Sequence, residues 1–205
     1  MDLESRLQPL RAHWRSFVAS RRVNANQIFF LFSVVLLTHP RYVFFFIIGF
    51  VIALCGALLR VWARGMPKRQ ETGLFREGPY RYLRHPMYAG TFLEGIGVCV
   101  ACFSISHFLS FALFIILAVG YFVLVYKEAI LLEEEKLFAD HGHKWDDYAR
   151  RVPALLPVLE DLRWLSYRDI MGFRFNRFEN TGEWKGFAAF LGVFAFLWFK
   201  LVYRL

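Results

Sequence analysis

The longest apolar stretch of the chain runs from Pro86 to Tyr126, 41 residues with no Lys or Arg and one acid, Glu94. About 20 apolar residues cross a bilayer as a helix, so this stretch fits two crossings better than one. Its break falls at "SISH", Ser104–His107, and predicts a helical hairpin of about Met87–Phe103 and Phe108–Tyr126. Upstream, Val43–Ala63 is a full-length span, and the turn signal "THPRY" separates it from a shorter apolar run, Asn26–Thr38. Downstream, Gly186–Val202 is a last span. The pattern predicts an all-α, polytopic integral membrane protein with about five transmembrane helices. Between the fourth and fifth spans lies a charged, amphipathic segment, with Pro153 and Pro157 closing its helical part.

Charge orients these spans. Segments 1–25, 60–84 and 127–185 carry 22 of the 25 Lys/Arg, and all three fall on one side if five spans alternate. By the positive-inside rule that side is cytoplasmic. The net charge of +8 flanks hydrophobic spans, so it points to the membrane surface and away from nucleic acid. Hydrophobic residues make up 57% of the chain and 24 residues are Phe, which also places it in the membrane class. Cys55, Cys99 and Cys102 all lie in apolar runs, which argues against a disulfide framework. No secretory signal is expected, because the first apolar run starts late and lacks a small-residue cleavage site. A single membrane domain, 1–205, follows, with N-terminal helices over 1–63, a core over 64–157 and a C-terminal extension over 158–205.

Two polar clusters border the hairpin. In "GPYRYLRHPMYAG", Gly78–Gly90, the Gly78-Pro79 pair makes a turn, and Pro86 suits the first turn of a helix, where its missing N–H costs nothing. Arg84 and His85 then stand at a helix N-terminus on the membrane boundary, a combination suited to a carboxylate or phosphate. His85 and Tyr88 share a face. The same residue types also serve as plain anchors at a bilayer edge. The second cluster, Glu128–Pro157, offers acids for an ammonium group or a ribose hydroxyl, or else a solvated helical face with Glu-to-Lys pairing. Gly90, Glu94, Gly97 and Ala101 share one helical face and predict close helix packing. For Glu94 itself, a functional role stands beside a structural hydrogen bond. "CVAC" lies in an apolar run without a second pair and reads as core, and "HGH" places two histidines on diverging sides of a helix, so no metal site is expected.

Taken together, the clusters resemble the signature of the isoprenylcysteine carboxyl methyltransferase family of membrane enzymes. The first half is Gly78-x-Tyr80-x-x-x-Arg84-His85-Pro86-x-Tyr88-x-Gly90, and the second is Glu133, Glu134, Leu137, Gly142, Trp145, Tyr148, Val152 and Pro153. The resemblance covers about residues 70–157. It implies S-adenosylmethionine as cofactor, a pocket capped by residues 127–157, and a lipid or lipidated acceptor entering from the bilayer. On it, Tyr80, Arg84, His85, Pro86, Tyr88, Glu133 and Glu134 are the cofactor-binding residues, with Arg84, His85 and Glu134 also assigned to catalysis. Arg84 suits the donor's carboxylate, Glu133 or Glu134 its ammonium or ribose, and Tyr80, Tyr88 or Trp145 its adenine or sulfonium. The expected location is an inner or endoplasmic reticulum membrane, with the site facing the cytoplasm. Isoprenylcysteine, a phospholipid amine, a phenolic lipid and a small thiol stay open as acceptors. A reductase related to the sterol reductases and a non-enzymatic lipid-binding protein are the alternative functions.

Overall fold

The structure is a computed structural model that describes residues 38–66, 74–105, 108–157 and 172–204. The short run Asn26–Thr38 lies outside the described residues except for Thr38, as do the hairpin tip at 106–107 and the stretch 158–171.

The described residues are all α. Helix α1 is Val43–Gly65. A 3₁₀ turn at Gly78–Arg81 leads to α2, Pro86–Ala101. Helix α3, Phe108–Tyr121, runs through a π-helical turn at Phe122–Tyr126 directly into α4, Lys127–His141. Then follow α5, His143–Arg151, α6, Phe175–Asn180, and α7, Glu183–Tyr203. The break between α4 and α5 is at Gly142, whose φ of 54° is one that side chains rarely adopt.

Among the described residues two helices, α1 with 23 residues and α7 with 21, are long and apolar enough to cross a membrane. The expectation of five spans is met only to that extent. Helix α2 is apolar but has 16 residues, roughly 24 Å at 1.5 Å per residue against a hydrocarbon core of about 30 Å. Helix α3 has 14 residues before the π turn.

The predicted small-residue face is where α1 and α2 meet, antiparallel. A Cβ on Gly97 would collide with the Gly49 carbonyl oxygen, and one on Gly56 with the Gly90 carbonyl oxygen. In lipid no hydrophobic force drives helices together, so such backbone-to-backbone approach supplies the packing energy. Helix α7 packs on the other side of α1 through aromatic rings. Phe46 lies edge-on to Phe194, Phe50 edge-on to Phe194, and Phe50 stacks on Phe190. These residues, with Ala53, Ala57, Val98 and Leu197, form the main core. The outward faces stay apolar: Phe44 is 69% exposed and Leu109 85%.

A polar network ties the three helices at one end, the near end, where α1 finishes and α2 and α7 begin. Arg60 of α1 donates from NH1 to Thr91 Oγ1 at 2.8 Å and to Glu94 Oε2 at 3.2 Å on α2. Its Nε donates to Glu183 Oε1 of α7 at 2.8 Å, and its NH2 pairs with the same oxygen. Glu94 therefore has a structural partner. Arg177 of α6 caps the end of α1 by donating to the Met66 carbonyl at 3.1 Å, and the Arg174 N–H reaches the Gly65 carbonyl at 2.9 Å. At the far end, Lys200 of α7 donates to the Thr38 carbonyl, and Cys102 to Thr38 Oγ1 at 3.3 Å.

Two outcomes follow. Gly97→Val should lower stability by about 1–3 kcal/mol or more, because the contact it overfills is backbone and cannot give way; thermal unfolding in detergent, read against an exposed-site control such as Leu113→Val, measures it. Cysteines placed at Asp146 (near end) and Ile105 (far end) should label with a membrane-impermeant thiol reagent from opposite sides of sealed vesicles, in a background lacking the native cysteines. Labelling of both from one side would remove the transverse orientation of the bundle.

Candidate functional site

The near end carries the two clusters read from the sequence, and the fold brings them into contact. Pro86 opens α2, fully buried, and His85 is the residue just before the helix, with its side chain only 2% exposed. Arg84 and His85 are held there by two backbone bonds to the segment after α5. The Arg84 N–H donates to the Pro153 carbonyl at 2.9 Å and the His85 N–H to the Ala154 carbonyl at 3.1 Å. The Val152-Pro153 turn therefore clamps the "RHP" stretch from outside.

From α4, Glu134 reaches into this corner. Its Oε1 lies 2.7 Å from Arg84 NH1 and 3.0 Å from His85 Nε2, so one carboxylate oxygen serves both basic side chains of the motif. On the other side of the ring, His85 Nδ1 lies 3.7 Å from Glu133 Oε2. The Tyr88 phenol, one turn along α2, is hydrogen-bonded to Glu133. The Tyr88 ring stands 5.8 Å from the His85 ring and edge-on to Tyr126 at 5.4 Å. Phe122 stacks on Tyr126 at 4.8 Å and packs on Phe92 at 4.5 Å. The π turn thus meets α2 through Tyr88 and Phe92, and it supplies an aromatic wall beside the acid-histidine cluster. Such turns place side chains that a regular helix would rotate away.

Helix α5 closes the outer side. Trp145 and Tyr148 are buried, and the Arg84 guanidinium lies 5.9 Å from the centre of the Trp145 ring, within cation–π range. The Tyr148 hydroxyl donates to the Tyr80 carbonyl at 2.5 Å, while Arg76 covers the Tyr148 ring and donates to the Lys144 carbonyl. Burial pushes the phenols of Tyr80 and Tyr148 above the ordinary tyrosine range, so Tyr148 keeps the proton that it donates.

Of the residues expected from the sequence, Arg84, His85, Tyr88, Glu133 and Glu134 meet as one cluster. Pro86 positions it, and Tyr80 takes part through its carbonyl, holding α5 in place. What the sequence reading did not foresee is the clamp from Pro153 and Ala154 and the wall from Phe92, Phe122 and Tyr126. The "VP" dipeptide was the visible signal for the clamp. A π turn leaves no mark in the hydrophobic pattern.

The described segment over residues 52–139 matches the model of the isoprenylcysteine carboxyl methyltransferase (ICMT) family. Over that segment the chain is similar to the ICMT family. Its members are S-adenosylmethionine-dependent methyltransferases, although some relatives are named as resistance proteins. A nickel-cobalt-cadmium resistance protein, NccN, of Alcaligenes xylosoxydans xylosoxydans is 35% identical over 107 residues, 51% of this chain and 46% of that protein. A methanethiol S-methyltransferase of Crocosphaera subtropica is 36% identical over 80 residues, 39% of this chain and 28% of that protein. A protein-S-isoprenylcysteine O-methyltransferase of Schizosaccharomyces pombe is 29% identical over 86 residues, 42% of this chain and 34% of that protein. The aligned part covers less than half the length of each of these relatives. No solved structure matches. The ICMT match contains the Arg84–His85–Glu134 cluster and stops before α5, so the clamp and α7 lie beyond the matched segment.

The residues present fit the family's cofactor on one structural count. Arg84 Nε is a buried donor with no hydrogen-bond partner, although its NH1 pairs with Glu134. An orphaned donor at this depth costs about 1–3 kcal/mol until something accepts from it, and a ligand carboxylate is suited to do so.

Replacing Tyr148 by Phe removes the strap between α5 and Tyr80 and leaves the Tyr80 carbonyl without its donor. The expected loss is about 1–3 kcal/mol, with α5 loosened first. Hydrogen exchange should rise over 143–154 and stay unchanged over α1; equal protection throughout would show that the strap does not hold α5.

Proposed function

We propose that the chain is a membrane methyltransferase that takes the methyl group of S-adenosylmethionine at the near end of the bundle and passes it to an apolar, lipid-like acceptor. The observation that carries this reading is the single oxygen of Glu134 shared by Arg84 and His85 across two segments far apart in sequence. A purely interfacial anchor has no need to bury a histidine between two acids. The bound donor would supply a methyl group made electrophilic by its positive sulfur.

The chain's own residues would do the rest. Arg84 would bind the donor's carboxylate through its orphaned Nε, with Trp145 keeping the guanidinium plane in place. Glu133, half exposed, is the acid available to an ammonium group, while Glu134 stays committed to the motif. His85 Nε2 lies 3.0 Å from Glu134 Oε1, a contact that fixes the ring. For an acceptor that must lose a proton, the His85–Glu134 pair is the nearest relay; a carboxylate acceptor needs none. The aromatic wall of Tyr88, Phe92, Phe122 and Tyr126 would exclude water and carry the acceptor's apolar part. The family match favours this reading over a reductase. The likeness to a methanethiol methyltransferase supports a small thiol as the second acceptor class, which the same histidine–glutamate pair would serve.

Arg84→Ala should weaken S-adenosylhomocysteine binding about ten- to a hundredfold, the equivalent of about 1.5–3 kcal/mol for a charge-assisted hydrogen bond. Isothermal calorimetry on the detergent-solubilised chain measures it, and an unchanged affinity would remove Arg84 from the donor pocket. For the acceptor, labelled-methyl transfer into a lipid extract is compared with transfer to methanethiol. With a lipid acceptor, shortening its chain by about four carbons should raise KM by about two orders of magnitude at fixed mole fraction, at about 0.8 kcal/mol per CH₂. Equal efficiency with the short soluble thiol would make the small thiol the acceptor.

A further inference from the structure

Three basic residues lie outside the basic segments 1–25, 60–84 and 127–185: Arg41, Lys200 and Arg204. Widely separated in sequence, they converge at the far end of the bundle. Lys200 donates to the Thr38 carbonyl, and next to it a cavity of about 220 Å³ is lined by Pro40, Arg41, Tyr42, Leu201 and Arg204. Arg41 and Arg204 thus face one space from two different segments.

The cavity wall includes the start of α1. Tyr42 precedes its first turn and makes no side-chain cap, and that turn holds no acid. The N-terminus of a 23-residue helix carries partial positive charge and N–H groups without intrahelical acceptors. Lys200 and Arg204 can be explained locally, since cations complement the C-terminal carbonyls of α7. Arg41 cannot, because a cation beside a helix N-terminus is electrostatically disfavoured. Among the described residues no acid lies at the far end to offset it: the ion pairs of Glu94, Glu133, Glu134, Asp146 and Glu183 are all made with near-end residues. Two guanidiniums and an uncapped helix start around one cavity make a positive site with no acid beside it among the described residues.

We propose that this cavity binds the phosphate of an anionic phospholipid headgroup. Two forked guanidiniums match phosphate oxygens bidentately, and the helix start adds backbone donors. The lipid is favoured as the source because the cavity opens beside exposed apolar surface. Val43 and Phe44 of α1 are 51% and 69% exposed, and Val202 of α7 is 54% exposed, so acyl chains have apolar side chains to lie along. Free inorganic phosphate shares the headgroup chemistry but gains nothing from those surfaces. This site is at the opposite end from the methyl-transfer cluster and does not depend on that function.

The test is a titration of the full chain in detergent with dioleoylphosphatidylglycerol, dioleoylphosphatidylcholine and, separately, inorganic phosphate, read by native mass spectrometry and calorimetry. Wild type should prefer the phosphatidylglycerol. Arg41→Gln/Arg204→Gln should weaken that binding by about tenfold or more, Arg41→Lys/Arg204→Lys by less, and Arg150→Gln/Arg151→Gln at the near end not at all. Monodisperse elution of each variant checks folding, and the lysine pair retains both charges where the glutamine pair fails to fold. Unchanged phosphatidylglycerol binding in the Arg41/Arg204 variants, or an equal loss in the Arg150/Arg151 pair, overturns the site. Arginine-dependent binding of inorganic phosphate with no preference for phosphatidylglycerol overturns the lipid as its ligand.

Discussion

The contact on which the rest of the structure depends is the backbone approach of α1 to α2 at Gly49–Gly97 and Gly56–Gly90. It leaves no room for side chains, so it sets the separation and the relative level of the two helices together. With that level set, Arg60 on α1 stands opposite Thr91 and Glu94 on α2, and the network draws in Glu183 at the start of α7. The same level fixes where α2 begins, and therefore where Pro86 and His85 lie relative to the end of α1. In an apolar surrounding, dispersion over a close backbone contact and satisfied polar groups replace the hydrophobic effect as the source of order.

The functional corner is built on that frame from outside. The helix that leaves the apolar layer as α3 changes pitch through the π turn and continues as α4, and that change aims Glu133 and Glu134 at the start of α2. Gly142 then reverses the chain so that α5 lies back over the corner, where Tyr148 and the Pro153 and Ala154 carbonyls fasten it. Each fastening uses a group that would otherwise be unsatisfied: a first-turn N–H, a buried phenol, a loop carbonyl. The clamp is made of polar contacts outside the packed core of α1, α2 and α7.

Much of this was legible in the chain. The hydrophobic pattern located α1, α2, α3 and α7, because membrane-length apolar runs bounded by turn residues have few other solutions. The spacing of Gly90, Gly97 and Ala101 located the packing face of α2. The motif residues from Gly78 to Gly90 and the Glu133-Glu134 pair marked the two clusters of the ICMT-family core. Of the five expected spans, two described helices are long and apolar enough to cross a membrane, α2 stops at Ala101, and α3 continues through the π turn from Phe122.

The sequence by itself determined the helical, apolar character, the likeness to the ICMT family and the residue types of the two clusters, because these follow from local composition and ordered motifs. Only the tertiary structure decided which partners those residues take. Arg84 and His85 converge on one oxygen of Glu134, Glu94 is answered by Arg60, and Arg41 and Arg204 come to share one cavity. The physical reason is that a charged group in a membrane protein can be answered from any helix that reaches its level. Which helix does so depends on packing distances and rotations that no local pattern records.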